Sequence, residues 1–148
     1  MTDTRILRPR LRQLIAARAS VIMLVTAERA RGRRAVQQLD VPDCPVAVQF
    51  WNAIDGWTRS PDVIDVLDAL QHVRRAARDP ETQNHLNCWV MEDVGPFLDS
   101  PQVNVLVKIL HEEMQGTRHS LVLQAPTTEG LVRGLDRLVE IVRLELPD

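Results

Sequence analysis

Short apolar runs that alternate with amphipathic segments predict an α/β domain: three layers, with a doubly wound, five-stranded parallel sheet between helices. The run 21–26 is apolar without alternation, as a strand covered on both faces must be. The segments between the runs repeat apolar residues at three- and four-residue steps, the spacing of a helix with one buried face. The 148 residues contain no repeat, linker or low-complexity stretch, so the whole of 1–148 is expected to form one domain with its own core.

The elements follow in order. Leu7, Leu11, Leu14, Ile15 and Arg18 predict an amphipathic helix over 6–19, and the first strand follows at 21–26. A polar helix then runs to about Leu39 and is ended by Asp40-Val41-Pro42-Asp43. The second strand, 46–51, leads into Asn52-Ala53-Ile54-Asp55-Gly56-Trp57, which reads as a turn. Ser60-Pro61-Asp62 has the form of a helix start, with a hydroxyl cap and then proline in the first turn. That helix is expected to reach Arg78, with Val63, Ile64, Val66, Leu67, Leu70 and Val73 on its core face. Asp62, Asp65 and Asp68 come early and Arg74, Arg75 and Arg78 late, as the helix dipole prefers. A polar loop over 79–85 precedes a strand at 86–92. Ser100-Pro101 opens a further capped helix that stops at Gly116. A strand within 118–125, a short helix over 128–138 and a last strand over 139–146 complete the pattern. Ligands bind such sheets at the carboxyl ends of the strands, here Thr26, Trp51 with Asn52, Glu92 with Asp93, and Gln124.

Composition narrows the class. No stretch approaches the roughly 20 continuous apolar residues of a membrane span, and the arginine-studded start lacks a secretory h-region. A cytoplasmic protein without membrane contact is expected. Cys44 and Cys88 lie far apart and make no metal signature, and Cys88 reads as a small buried hydrophobe. His72, His85, His111 and His119 form no pair at ligand spacing, and no serine or cysteine stands in a nucleophile context. The net charge of −2 is unevenly spread: residues 1–34 hold nine arginines against Asp3 and Glu28, a net of +7, which leaves −9 for the rest. Such asymmetry fits nucleic acid, an acidic partner or self-association, or an arginine bias of the source genome. Residues 1–34 contain no aromatic side chain for base stacking.

The strand at 86–92 ends in Glu92 and Asp93, where a nucleotide hydrolase holds magnesium and polarises water. A phosphate cradle also needs close-packed glycines, a lysine and a hydroxyl. The segment after the first strand reads Thr26-Ala27-Glu28-Arg29-Ala30-Arg31-Gly32-Arg33-Arg34 instead, and Lys108, the one lysine, falls inside a helix. Arg29, Arg33 or Arg34 can offer charge to a phosphate, but a planar guanidinium does not replace a compact ammonium in a tight loop. Trp89 belongs in the core. Trp51 and Trp57 flank the turn at 52–56 and point to packing or a partner contact there.

The segments 11–28, 50–56, 90–99 and 141–147 together resemble an AAA-type P-loop domain. The closer resemblance is to the inactive AAA-like N-terminal domain of the AAA ATPases found as a conserved open reading frame in cyanobacteria and chloroplasts. The resemblance covers nearly the whole chain and implies a spatial strand order of 5-1-4-3-2, without a lid domain. It implies that Glu92 and Asp93 are the residue of a magnesium-binding acidic pair, in the order Glu-Asp where an active motif is usually Asp-Glu, and that Gln124 stands at a sensor position. The resulting expectation is a non-catalytic, cofactor-free pseudo-ATPase that joins an AAA-type ATPase or a larger multi-subunit assembly, with Arg29, Arg31, Arg33, Arg34 and Trp57 binding the partner. The alternatives are a weak magnesium-dependent ATP hydrolase using Glu92 and Asp93, and a nucleic-acid-associated protein acting through its basic N-terminal part.

Overall fold

The computed structural model describes residues 4–39, 41, 44–129, 131 and 135–144, with side chains from Arg10 onward. Its strands are β1 (Val21–Val25), β2 (Val46–Asn52), β3 (Gly56–Trp57), β4 (Leu86–Met91), β5 (His119–Ala125) and β6 (Glu140–Arg143). They form one sheet in the order β3-β2-β4-β5-β1-β6. β6, β1, β5, β4 and β2 are mutually parallel. Numbered among themselves in chain order, these five strands read 5-1-4-3-2, the arrangement the resemblance implies.

The sheet differs from the expected purely parallel one by β3, which folds back antiparallel on the end of β2 and sets Trp51 opposite Trp57 and Asn52 opposite Gly56. The expected turn is therefore a hairpin that extends the sheet. Gly56 makes it feasible, because its φ of +68° suits glycine and a Cβ there would lie 2.5 Å from the Pro61 carbonyl oxygen.

Among the described residues four α-helices cover the sheet: α1 (Thr4–Ala16), α2 (Arg29–Gln37), α3 (Val66–Arg78) and α4 (Pro101–Glu113). Alternation along each strand divides the core in two. Ile22 and Leu24 of β1 join Val90, Val122 and Val142 in packing on Leu11 and Ile15 of α1 and Ala35 and Val36 of α2. Val21 and Met23 face the other way, with Met91, Leu121 and Leu123, against Leu70 and Val73 of α3 and Val107 and Leu110 of α4. Trp51, Trp57 and Trp89 belong to this second layer. α1 closes with Arg18 in the left-handed region (φ 61°), where the Ala19 amide donates to Leu14 O and the Arg18 amide to Ile15 O, a Schellman-type cap without glycine.

The start of α3 departs from expectation. Ser60-Pro61 does not cap it; the helix begins at Val66, and Asp65 Oδ1 accepts the amides of Leu67 (2.9 Å) and Asp68 (3.1 Å). Residues 60–64 are held out of the helix by tertiary contacts: Ser60 bridges to Trp57, Pro61 packs on Gly56, and the Trp51 indole N–H donates to Val63 O at 2.7 Å. α4 begins at Pro101 as its sequence indicates, but the expected cap is not made: the Ser100 hydroxyl donates to Gln102 Oε1 at 3.2 Å and not to the helix backbone. The short helix expected over 128–138 is not seen in its described part, where residues 135–138 form a turn; residues 130 and 132–134 lie outside the described residues, as do Asp40, Pro42 and Asp43 and residues 145–146 of the last expected strand.

Candidate functional site at the carboxyl edge of the sheet

β1 connects to α2 through only three residues, Thr26, Ala27 and Glu28. The Thr26 hydroxyl is engaged locally, accepting the Glu28 amide at 3.2 Å. Glu28 O accepts from the amides of Arg31 and Gly32, both at 3.1 Å, so the first turn of α2 closes directly on this short connection. The Glu28 side chain, at the N-cap position, is exposed and makes no capping bond. Gly32 is buried against the strand ends: a Cβ there would meet Thr26 Cγ2 at 3.0 Å and Leu24 Cδ2 at 3.4 Å. The glycine thus serves the close approach of α2 to β1.

That approach brings Arg33 to Glu92. Arg33 Nε donates to Glu92 Oε2 at 3.2 Å and its Nη2 to Glu92 Oε1, so one guanidinium occupies both carboxylate oxygens. The Glu92 side chain is only 1% exposed, whereas that of Arg33 is 40% exposed and lies with its guanidinium carbon 4.5 Å from the Phe50 ring centroid. Asp93 is different. Its carboxylate is exposed and its backbone left-handed (φ 54°), held by its amide donating to Gln124 Oε1 at 2.9 Å. Gln124 Nε2 donates in turn to Thr26 O at 3.0 Å. One buried amide side chain therefore ties the ends of β1, β4 and β5 together, which suits a residue with both donor and acceptor.

Of the side chains singled out in the sequence, Glu92, Asp93, Gln124 and Arg33 meet at this edge. Arg29 and Arg34 are exposed on α2, but Arg31 is buried. The expectation that Trp57 offers a partner contact is corrected: it is 0% exposed, donates its indole N–H to Ala69 O at 3.3 Å and packs edge-on against Trp89 at 5.2 Å. Arg33 likewise spends its charge inside the molecule. Asn52, named as a strand-end position, has a structural role: its Oδ1 accepts the amides of Ile54 (2.9 Å) and Asp55 (2.8 Å), and its Nδ2 donates to Asp55 Oδ2, which fixes the hairpin tip and leaves Ile54 85% exposed. The sequence signal was Asn three residues ahead of Asp-Gly, an Asx-turn pattern. Beside the tip, Arg33, Phe50, Asn52, Asp55, Trp57 and Thr58 line a recess of about 190 Å³. Among the described residues no group of three or more His, Cys, Asp or Glu side chains converges to hold a metal, and no helix is long and apolar enough to cross a membrane.

A five-stranded parallel core in the order 5-1-4-3-2, with an acidic strand end at Glu92 and Asp93, is the fold of an AAA-type ATPase domain. Residues 7–144 match the family model of the SpoVK-like AAA ATPase N-terminal domain, and the chain belongs to that family. Among solved structures it is similar to a DNA polymerase III gamma subunit-related protein from Thermotoga maritima, with a TM-score of 0.69 at 13% identity over 96% of this chain and 47% of that one. It is similar also to the ORC2 protein of Aeropyrum pernix, with a TM-score of 0.65 at 15% identity over 97% and 46%. A chain of the HORMA:CdnC:Trip13 complex from E. coli MS115-1 gives 0.64 at 10% identity over 95% and 62%. At such identities the likeness is one of fold, and the chain spans about half to three-fifths of the length of these structures. No curated protein matches the sequence.

Proposed function

We propose that the chain is a non-catalytic AAA-like interaction domain that assembles with an AAA-type ATPase or with other subunits of a larger complex. The observation that carries this reading is the connection between β1 and α2. Where the fold places a phosphate cradle, three residues lead straight into a helix whose N-cap is Glu28. A helix N-terminus attracts phosphate through free amides and a positive dipole end, and a carboxylate set there opposes a phosphate by like-charge repulsion. The residues do not fit a magnesium–nucleotide complex: no lysine or free hydroxyl stands at the connection, and both oxygens of Glu92 are taken by Arg33.

Partner binding draws support from the surface. Arg29 and Arg34 are exposed, as is Ile54 on its rigid tip, and α3 and α4 leave a largely apolar groove of about 500 Å³ lined by Leu67, Val105, Leu106 and Ile109. Two measurements test the proposal. Titration calorimetry with ATP and magnesium is expected to give no heat of binding at millimolar ligand, and crosslinking in the native host followed by mass spectrometry is expected to capture an AAA-type ATPase or another stable assembly. Magnesium-dependent ATP binding with a turnover that Glu92→Gln abolishes would overturn the non-catalytic reading. A monomer that captures no partner would overturn the assembly.

A further inference from the structure

We infer that Arg33 is a built-in counter-cation, taking at Glu92 the place that a bound metal ion takes in this fold, so that the carboxyl edge of the sheet is closed without any ligand. This deepens the proposed function and rests on it. An ionised carboxylate as buried as that of Glu92 requires a positive charge beside it, because an unpaired buried charge is among the costliest defects a core can carry. A metal ion or a cationic side chain can supply that charge. Here the side chain does so with the two-pronged geometry in which guanidinium matches carboxylate, each prong reaching a different oxygen.

Three further features hold the guanidinium in place, and each comes from a different element. Gly32, the residue before Arg33, lets α2 lie close enough to β1 for the reach across to β4; a Cβ at that position would meet Thr26 at 3.0 Å. Phe50 of β2 presents its ring face to the guanidinium 4.5 Å away, a favourable quadrupole contact for a cation. The Glu92 amide donates to Trp51 O at 2.8 Å, which anchors the acid's backbone to β2. The cation, its support and its acceptor thus come from α2, β2 and the end of β4, and tie the helix to two strands. Arg33 makes this bridge from within the chain, without a ligand.

Thermal melts with magnesium chloride alone test the inference, in wild type, Arg33→Ala, Arg33→Lys and Arg33→Ala with Glu92→Gln. Wild type is expected to shift by less than about 1 °C on adding about 10 mM magnesium, since no binding means no linkage. Arg33→Ala is expected to melt about 5 °C lower and to regain about 3 °C in magnesium, as the freed carboxylate accepts the ion. Adding Glu92→Gln is expected to remove the response to magnesium, because the buried charge is then gone. Arg33→Lys, which keeps a charge but one prong only, is expected to melt between wild type and Arg33→Ala, and it provides the comparison if Arg33→Ala does not fold. A wild type stabilised by magnesium, an Arg33→Ala with neither loss nor response, a response that survives Glu92→Gln, or an Arg33→Lys as stable as wild type would each overturn the inference. Nucleotide is absent from these melts. A wild type that bound ATP yet ignored magnesium alone would therefore fail the proposed function while leaving the counter-cation role standing.

Discussion

Acidification should destabilise the domain through His119. This first residue of β5 is 0% exposed, and its imidazole lies nearly parallel to the Trp89 ring, with centroids 6.2 Å apart and planes 11° from parallel. Its Nδ1 accepts the Trp89 indole N–H at 3.0 Å, and its Nε2 lies 2.8 Å from the Thr82 hydroxyl. That hydroxyl also lies 2.7 Å from Asp79 O and 2.9 Å from Ala76 O, so its own hydrogen goes to a carbonyl and His119 Nε2 carries the proton of the pair. The neutral ring is then fully satisfied, and a second proton on Nδ1 would point at the Trp89 N–H. Burial, with a smaller contribution from His85, lowers the His119 pKa from 6.5 to about 4. The unfolded chain thus takes up a proton at a pH where the folded chain refuses it. Stability is complete above about pH 6.5 and is lost as pH falls toward 4. Between about pH 7.5 and pH 5 the loss is about 2 kcal/mol, approaching about 3 kcal/mol at pH 4. His72, whose pKa is lowered by burial and then by Arg75, acts in the same direction. Urea unfolding followed by tryptophan fluorescence at the two pH values measures the loss, and His119→Gln should flatten it. Equal stability at both pH values, or a His119 imidazole that titrates near 6.5 in NMR spectra of the folded protein, would refute the argument.

Two substitutions test how the hairpin and α3 are held. Gly56→Ala should cost roughly 2–4 kcal/mol in chemical denaturation, because the added Cβ meets the Pro61 carbonyl at 2.5 Å in a backbone conformation that alanine resists. Asp65→Ala should cost about 1 kcal/mol through loss of the helix cap, while Ser60→Ala stays within about 0.5 kcal/mol; the reverse order would return the helix start to Ser60.

Where a residue's role is set by its neighbours along the chain, the sequence revealed it. The continuous apolar run that became β1 and the Ser100-Pro101 start of α4 carried their own local signals, and Leu11 and Ile15 of α1 declared their buried face by helical spacing. Ser60-Pro61 shows the limit of such signals. It has the local form of a helix start, yet the contacts of Trp51, Gly56 and Trp57 keep it in a turn, and Asp65 caps the helix instead. The tryptophans at 51 and 57 were legible as a pair about a turn, but only the antiparallel pairing of β3 on β2 turned Trp57 into the core.

By itself the sequence determined the α/β class, the succession of the parallel strands, and the absence of a lysine and a glycine-rich loop after the first of them, since each follows from residue type and short-range order. It also marked Glu92-Asp93 as a strand end of chemical interest. Only the tertiary structure decided what became of that acid. Arg33 lies 59 positions away, and nothing in local spacing distinguishes it from Arg29, Arg31 or Arg34. Their fates diverge because the sheet order and the close seat of Gly32 direct one guanidinium onto a buried carboxylate, bury Arg31 and leave Arg29 and Arg34 in solvent. A charge can be counted along a chain, but its partner is chosen by distance in the folded molecule.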